Sequence, residues 1–179
     1  MSESRVSAAF LDQLVVIRIQ GEGSLEESAA LRDFYRSMLE KDFKCFCIDL
    51  TDCPYMYSTF IGMLVRMGLD MEQRQNQKLV LTGVSEKILD LLTTLQLARV
   101  FQIRKEPLES VLKSGEDIPC LPHTELEKAE LILNAHDALA ETSDVNRIRF
   151  EDVRKLLKGD VERLRKQCSQ PTDEGEPTQ

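Results

Sequence analysis

The sequence has no tryptophan, only two histidines and 6% aromatic residues across 179 positions. Two imidazoles, His123 and His136, cannot furnish a multi-histidine metal centre, and classical catalytic triads have almost no material. Positive charge is also in deficit, because 23 Lys and Arg stand against 31 Asp and Glu for a net charge of −8. A chain without a cationic field does not collect phosphate backbones, so no nucleic-acid partner is expected. No apolar run reaches the roughly 18 residues that a membrane span needs, and the opening MSESRVSAAF lacks the basic and apolar regions of a secretory signal. A cytoplasmic chain with no membrane partner is the expectation. The five cysteines are odd in number and form no C-x-x-C. They are expected as free thiols, with Cys45 and Cys47 as small buried side chains on one face of a strand.

What is present is alternation. Leu14 to Gln20 is β-branched and strand-like, and Gly21-Glu22-Gly23 closes it. Ser24 with Glu27 forms a capping box, and Leu25, Ala29, Leu31, Tyr35 and Met38 recur at helical spacing to about Lys41. Cys45 to Leu50 is a second central strand, and the Phe60 to Met71 pattern is a helix with a broad apolar surface. Lys78 to Val84 returns as a strand, Ser85 caps a helix to about Leu95, and Val100 to Ile103 ends the series. Val6 to Phe10 can add an edge strand. The pattern predicts an α/β fold with a mostly parallel sheet of four to five strands and right-handed crossover helices.

Residues 111–123 read as a connector, since prolines and a glycine interrupt any period there. A helical hairpin module is expected over 124–168, opened by a second capping box at Thr124 and Glu127. Its first helix carries Leu126, Ala129, Leu133, His136 and Leu139 on one side; its second, starting at Ser143 or Asp144, carries Phe150, Val153, Leu157, Val161 and Leu164. Two such helices cannot stand alone, so they fold back and dock on the sheet or bind another copy. Residues 169–179, SQPTDEGEPTQ, are expected to form a disordered acidic tail.

Among the candidate sites, Gly21-Glu22-Gly23 opens like a dinucleotide loop, but Glu26 occupies the third glycine position and would repel a pyrophosphate, which favours a tight turn. No P-loop and no G-x-S-x-G occurs. Asp49 and Asp52 either hold a divalent cation at the strand end, or Asp52 shapes the turn through its side chain. His136 reads as a packing histidine and His123 as an exposed linker residue. Ser58 and Thr59 stand where a loop becomes a helix. There a hydroxyl serves as an N-cap, or an added phosphate is stabilised by free N–H groups and the helix dipole.

The strand ending at Gly21, the strand Cys47-Ile48-Asp49-Leu50-Thr51, the helix start Met56-Tyr57-Ser58-Thr59-Phe60-Ile61-Gly62, the run Leu79 to Ser85 and the segment Leu95 to Ile103 resemble, in order, the STAS domain. STAS modules occur in sulfate transporters and in bacterial anti-sigma factor antagonists, and the likeness covers about residues 5–110. In antagonists the helix start reads Asp-Ser-Ser/Thr-Gly, and its first serine is the target of an anti-sigma factor that is also a serine kinase. Ser58 falls on that position, with Thr59 beside it, while Tyr57 replaces the Asp and Phe60 the Gly.

The resemblance implies a STAS domain over 1–110 that acts by partner switching, not catalysis, with no cofactor and with a kinase-like anti-sigma factor as partner. Tyr55, Tyr57, Phe60, Ile61, Met63 and Leu64 are then the expected partner-binding residues. The alternative is a STAS scaffold that is not phosphorylated and forms a homodimer through its C-terminal helices.

Overall fold

Branched and aromatic side chains pack well on a pleated surface, and the strands form where they cluster. The computed structural model describes residues 4–106 and 115–169. Its strands are β1 (Arg5–Leu11), β2 (Leu14–Gln20), β3 (Cys45–Asp52), β4 (Leu79–Thr82), β5 (Phe101–Ile103) and β6 (Glu116–Asp117). Helices α1 (Leu25–Glu40), α2 (Ser58–Gln75) and α3 (Glu86–Thr94) connect β2 through β5, and α4 (Glu125–Glu141), α5 (Asp144–Arg149) and α6 (Glu151–Ser169) follow the sheet. The acidic-tail expectation for 169–179 falls outside the described residues except at Ser169, which ends α6. Residues 107–114, at the junction with the expected connector, also lie outside them.

The sheet order is β5-β4-β3-β2-β1-β6. Strands β2 to β5 are parallel neighbours in chain order, while β1 returns antiparallel on β2 through a tight turn at Asp12. A mostly parallel α/β sheet is thus observed, with one strand more than the expected four to five. The sixth strand, Glu116–Asp117, pairs with Ser7 and Ala8 from within the stretch read as a connector, so β1 is not the sheet's edge.

Helices α1 to α3 share one continuous core with Val15, Ile17, Ile19, Phe46, Ile48 and Leu50. The opposite face holds a small cluster of Ala9, Val16 and Cys47. Both capping boxes form, at Ser24–Glu27 and Thr124–Glu127, and Ser85 caps α3. The β2–α1 loop is the tight turn anticipated, with Gly21 at φ +83.

The second half departs more from expectation. Helix α4 packs on α2 through Leu131, Ala135, Ala138 and Leu139; of the stripe read in the sequence, His136 and Leu139 are buried, whereas Leu126, Ala129 and Leu133 are half-buried. The second helix of the hairpin is broken at Phe150 into α5 and α6. Both fold back: Asn146 donates from its side-chain nitrogen to the Leu95 carbonyl at 2.7 Å, and Arg154 pairs with Asp137 of α4. His123 is not an exposed linker residue, because its side chain is 9% exposed with Nε2 2.7 Å from the Asp33 carboxylate. Burial pushes the Asp33 carboxyl up, but hydrogen bonds from Arg32 and His123 outweigh it and hold the group below the usual range.

Helix α2 is buried on both sides, against the sheet and under α4. Helices α2 and α4 approach tightly at Gly62, where an added Cβ would lie 2.2 Å from the Ala135 carbonyl oxygen. Backbone cannot swing aside as a side chain can, so Gly62→Ala should destabilise the protein by about 1–3 kcal/mol. Gly159 in α6 has nothing within 4 Å of such a Cβ, and Gly159→Ala there should stabilise by about 0.5–1 kcal/mol through helix propensity. Urea denaturation of both variants checks the pair, and a Gly62→Ala protein as stable as wild type would remove the tight helix crossing.

Candidate functional site

The loops that follow β2 and β3 lie side by side at the carboxyl end of the sheet. Gly23 donates its N–H to the Tyr55 carbonyl at 2.9 Å, and Tyr57 donates to the Gly23 carbonyl at 2.9 Å, closing an isolated bridge. Gly23 is required here by close approach, since a Cβ would meet the Phe60 ring at 2.5 Å. Phe60, fully buried, thus fills the space above that glycine. The bridge fixes where α2 begins.

Tyr57 is the N-cap residue of α2 and makes no capping hydrogen bond with its side chain, so neither Ser58 nor Thr59 is the N-cap. Ser58 is the first helical residue and exposed, and Thr59 is half-buried behind it. The Tyr57 hydroxyl instead donates to Glu22 at 3.2 Å, which raises the Tyr57 phenol above its ordinary range. Tyr55 stands edge-on to Tyr57 with ring centroids 5.0 Å apart, and the Lys87 ammonium lies 5.3 Å from the Tyr55 centroid.

The expected partner-binding set divides sharply. Tyr55 and Tyr57 are 39% and 48% exposed, whereas Phe60, Ile61, Met63 and Leu64 are all 5% exposed or less. Those four are core residues, and the correction has a physical cause: a helix apolar on nearly every side serves two buried faces, not one buried and one binding face. What remains accessible is the two tyrosines, Ser58 and a groove of about 970 Å³ between the Tyr57–Thr59 turn and the segment Cys120 to His123.

Ser58 has one partner that local sequence does not reveal. Its Oγ lies 3.1 Å from Nε2 of His136, which sits on α4, 78 residues away. The same ring places Nδ1 2.8 Å from the Ile132 carbonyl oxygen, which can only accept, so Nδ1 carries the proton. In the neutral ring Nε2 is therefore the acceptor, and the Ser58 hydroxyl donates to it. The imidazole is 5% exposed and packs edge-on against Phe150. His136 is the packing histidine anticipated and also a contact of the candidate acceptor.

Asp49 and Asp52 do not assemble a cation site. Asp49 is fully buried, accepts from Arg18 Nε at 3.1 Å, and accepts from the Thr51 backbone at 3.0 Å. The turn is thus shaped by Asp49, not by Asp52, whose exposed carboxylate lies 3.6 Å from the same Arg18. Among the described residues no cluster of three or more metal-ligating side chains occurs, and no helix is long and apolar enough to cross a membrane.

The family model described as Mlab, STAS domain matches residues 6–105. Among solved structures, the crystal structure of TM1081 from Thermotoga maritima, named as a candidate anti-sigma factor antagonist, is 18% identical with a TM-score of 0.50. That match covers 54% of this chain and 83% of that chain. An NMR structure of the protein TM1081 is 18% identical with a TM-score of 0.51, covering 60% of this chain and 88% of that one. At such identity the likeness is one of fold. No curated protein matches the chain in sequence.

Two outcomes test the roles assigned to Asp49 and the cysteines. Asp49→Ala leaves Arg18 half-buried beside the exposed Asp52 and should lower stability by about 2–3 kcal/mol, with no Mg²⁺-dependent shift in Tm for either protein. Burial pushes the Cys47 thiol up to about 11 and raises Cys53 as well. At pH 8 iodoacetamide should therefore alkylate the exposed Cys168 first in the native protein, the exposed Cys120 more slowly because partial burial and the nearby Glu26 and Glu27 carboxylates raise its thiol too, and spare Cys47 and Cys53 until urea unfolds it. Rapid native labelling of Cys47 would contradict its burial.

Proposed function

The chain belongs to the STAS domain family, and from that premise we propose that it is an anti-sigma factor antagonist-like regulator working by phosphorylation-controlled partner switching in the cytoplasm. Ser58 is the acceptor, and the unmodified protein binds a kinase-like anti-sigma factor through the surface around Tyr55 and Tyr57. The observation that carries this reading is the place of Ser58: exposed, at the first position of an 18-residue helix whose first turn no side chain caps. A phosphate there meets the positive end of the helix dipole, so the fold tolerates the modification. It adds nearly two negative charges beside two exposed tyrosines, enough to expel a partner seated on them.

Tyr57 and Phe60, where antagonists of the family carry Asp and Gly, fit this reading. The carboxylate at the loop comes from Glu22, reached through the Tyr57 hydroxyl, and Phe60 is occupied inside the core against Gly23. In this role the protein is a substrate and a binder, not a catalyst. A second reading rests on Val145, Ile148 and Leu156, which are 48%, 71% and 71% exposed on the helical module: a scaffold that dimerises through that module over 124–168.

Phosphopeptide mass spectrometry on the protein from its native cells, in growth and under stress, separates the two. Phosphate on Ser58 that disappears in Ser58→Ala is the expected result. An unmodified Ser58 peptide under every condition, together with a dimer in analytical ultracentrifugation that Leu156→Glu dissociates, would replace the switch with the scaffold.

A further inference from the structure

Resting on the reading of Ser58 as a phosphoryl acceptor, we propose that Ser58 and His136 are a nucleophile and its built-in base: His136 takes the serine proton as Ser58 is phosphorylated, and then holds the phosphate. The parts stand in the arrangement that activates a weak hydroxyl, with nucleophile and base within hydrogen-bond reach and the base oriented by a third group. Ser58 Oγ is 3.1 Å from Nε2, and the Ile132 carbonyl fixes the ring with Nδ1 protonated and the Nε2 lone pair facing the hydroxyl. The imidazole is 5% exposed, so its orientation is held by packing, while the serine is open to solvent. A histidine recruited for packing alone has no need to aim its free nitrogen at an exposed hydroxyl.

The step balances with a nucleoside triphosphate held by the partner kinase. The Ser58 oxygen forms a bond to the γ-phosphorus, the bond from that phosphorus to the bridging oxygen breaks, and the nucleoside diphosphate departs with the bonding pair. The serine proton passes to Nε2. Burying an unpaired imidazolium is costly, but here the charge arises together with the phosphate that compensates it. In the product both ring nitrogens are donors, Nδ1 to the Ile132 carbonyl and Nε2 to a phosphate oxygen, a charge-assisted bond between α4 and the start of α2. The helical module is then the element that registers the modification.

A fluorophosphonate probe tests the pair without the kinase. Attack by Ser58 forms the oxygen–phosphorus bond, fluoride leaves, and the proton goes through His136 to solvent. Peptide mapping of the intact chain should show Ser58 labelled on the order of 10²-fold faster than Ser85, an exposed serine at the N-cap of α3 that accepts from the Ile88 N–H. Ser85 controls for the helix N-terminus alone.

His136→Gln keeps an acceptor for the Ser58 hydroxyl but removes the base, and should bring Ser58 to the Ser85 rate with circular dichroism unchanged. Equal labelling of Ser58 and Ser85 in the wild-type protein, a comparison that needs no variant to fold, would overturn the pair. Phosphate on Ser58 in cells combined with that equal labelling leaves the switch standing and removes the built-in base. Fast probe labelling without phosphate in cells keeps the activated serine and removes the switch.

Discussion

The crossing of α2 and α4 at Gly62 and Ala135 is the constraint on which the rest of the molecule depends. With no side chain at position 62 the two backbones come into contact, and an added Cβ would fall 2.2 Å from the Ala135 carbonyl oxygen. That approach converts α2 from a helix with one covered face into a layer between the sheet and the helical module. It also explains why α2 carries Phe60, Ile61, Met63, Leu64, Val65, Met67 and Met71 as buried residues. The residue next to Ala135 is His136, so the same crossing delivers the imidazole to Ser58.

The candidate site follows from geometry at the start of the same helix, one turn before Gly62. Gly23, Phe60 and the short bridge between the two loops set the first turn, and that turn presents Ser58 beside Tyr57. Under the proposed switch, a phosphate on Ser58 acts in two directions: outward on whatever rests on the tyrosines, inward on His136 and α4. In that reading the surface around the tyrosines and the helical module meet at one hydroxyl, so one modification reaches both.

Much of the framework was legible because its signals are local. The β-branched run of β2, the capping boxes at Ser24–Glu27 and Thr124–Glu127, and Ser85 each act within a few residues. The sixth strand was not, because Glu116 and Asp117 pair through backbone and carry no apolar pattern. The partner-binding assignment of Phe60, Ile61, Met63 and Leu64 failed because periodicity says that a face is apolar without saying what covers it. His123 and His136 looked like a linker residue and a packing residue because their partners, Asp33 and Ser58, lie 90 and 78 residues away. The serine itself was visible in the loop-to-helix pattern; its histidine required the fold.

The most direct measurement of the account is hydrogen–deuterium exchange on the full chain with and without phosphoserine incorporated at position 58. Amides of α4 around Ile132 to Leu139 should exchange more slowly in the phosphorylated protein, and that gain should vanish in His136→Gln. Unchanged or faster exchange across α4 on phosphorylation would contradict the claim that the helical module registers the state of Ser58 through His136.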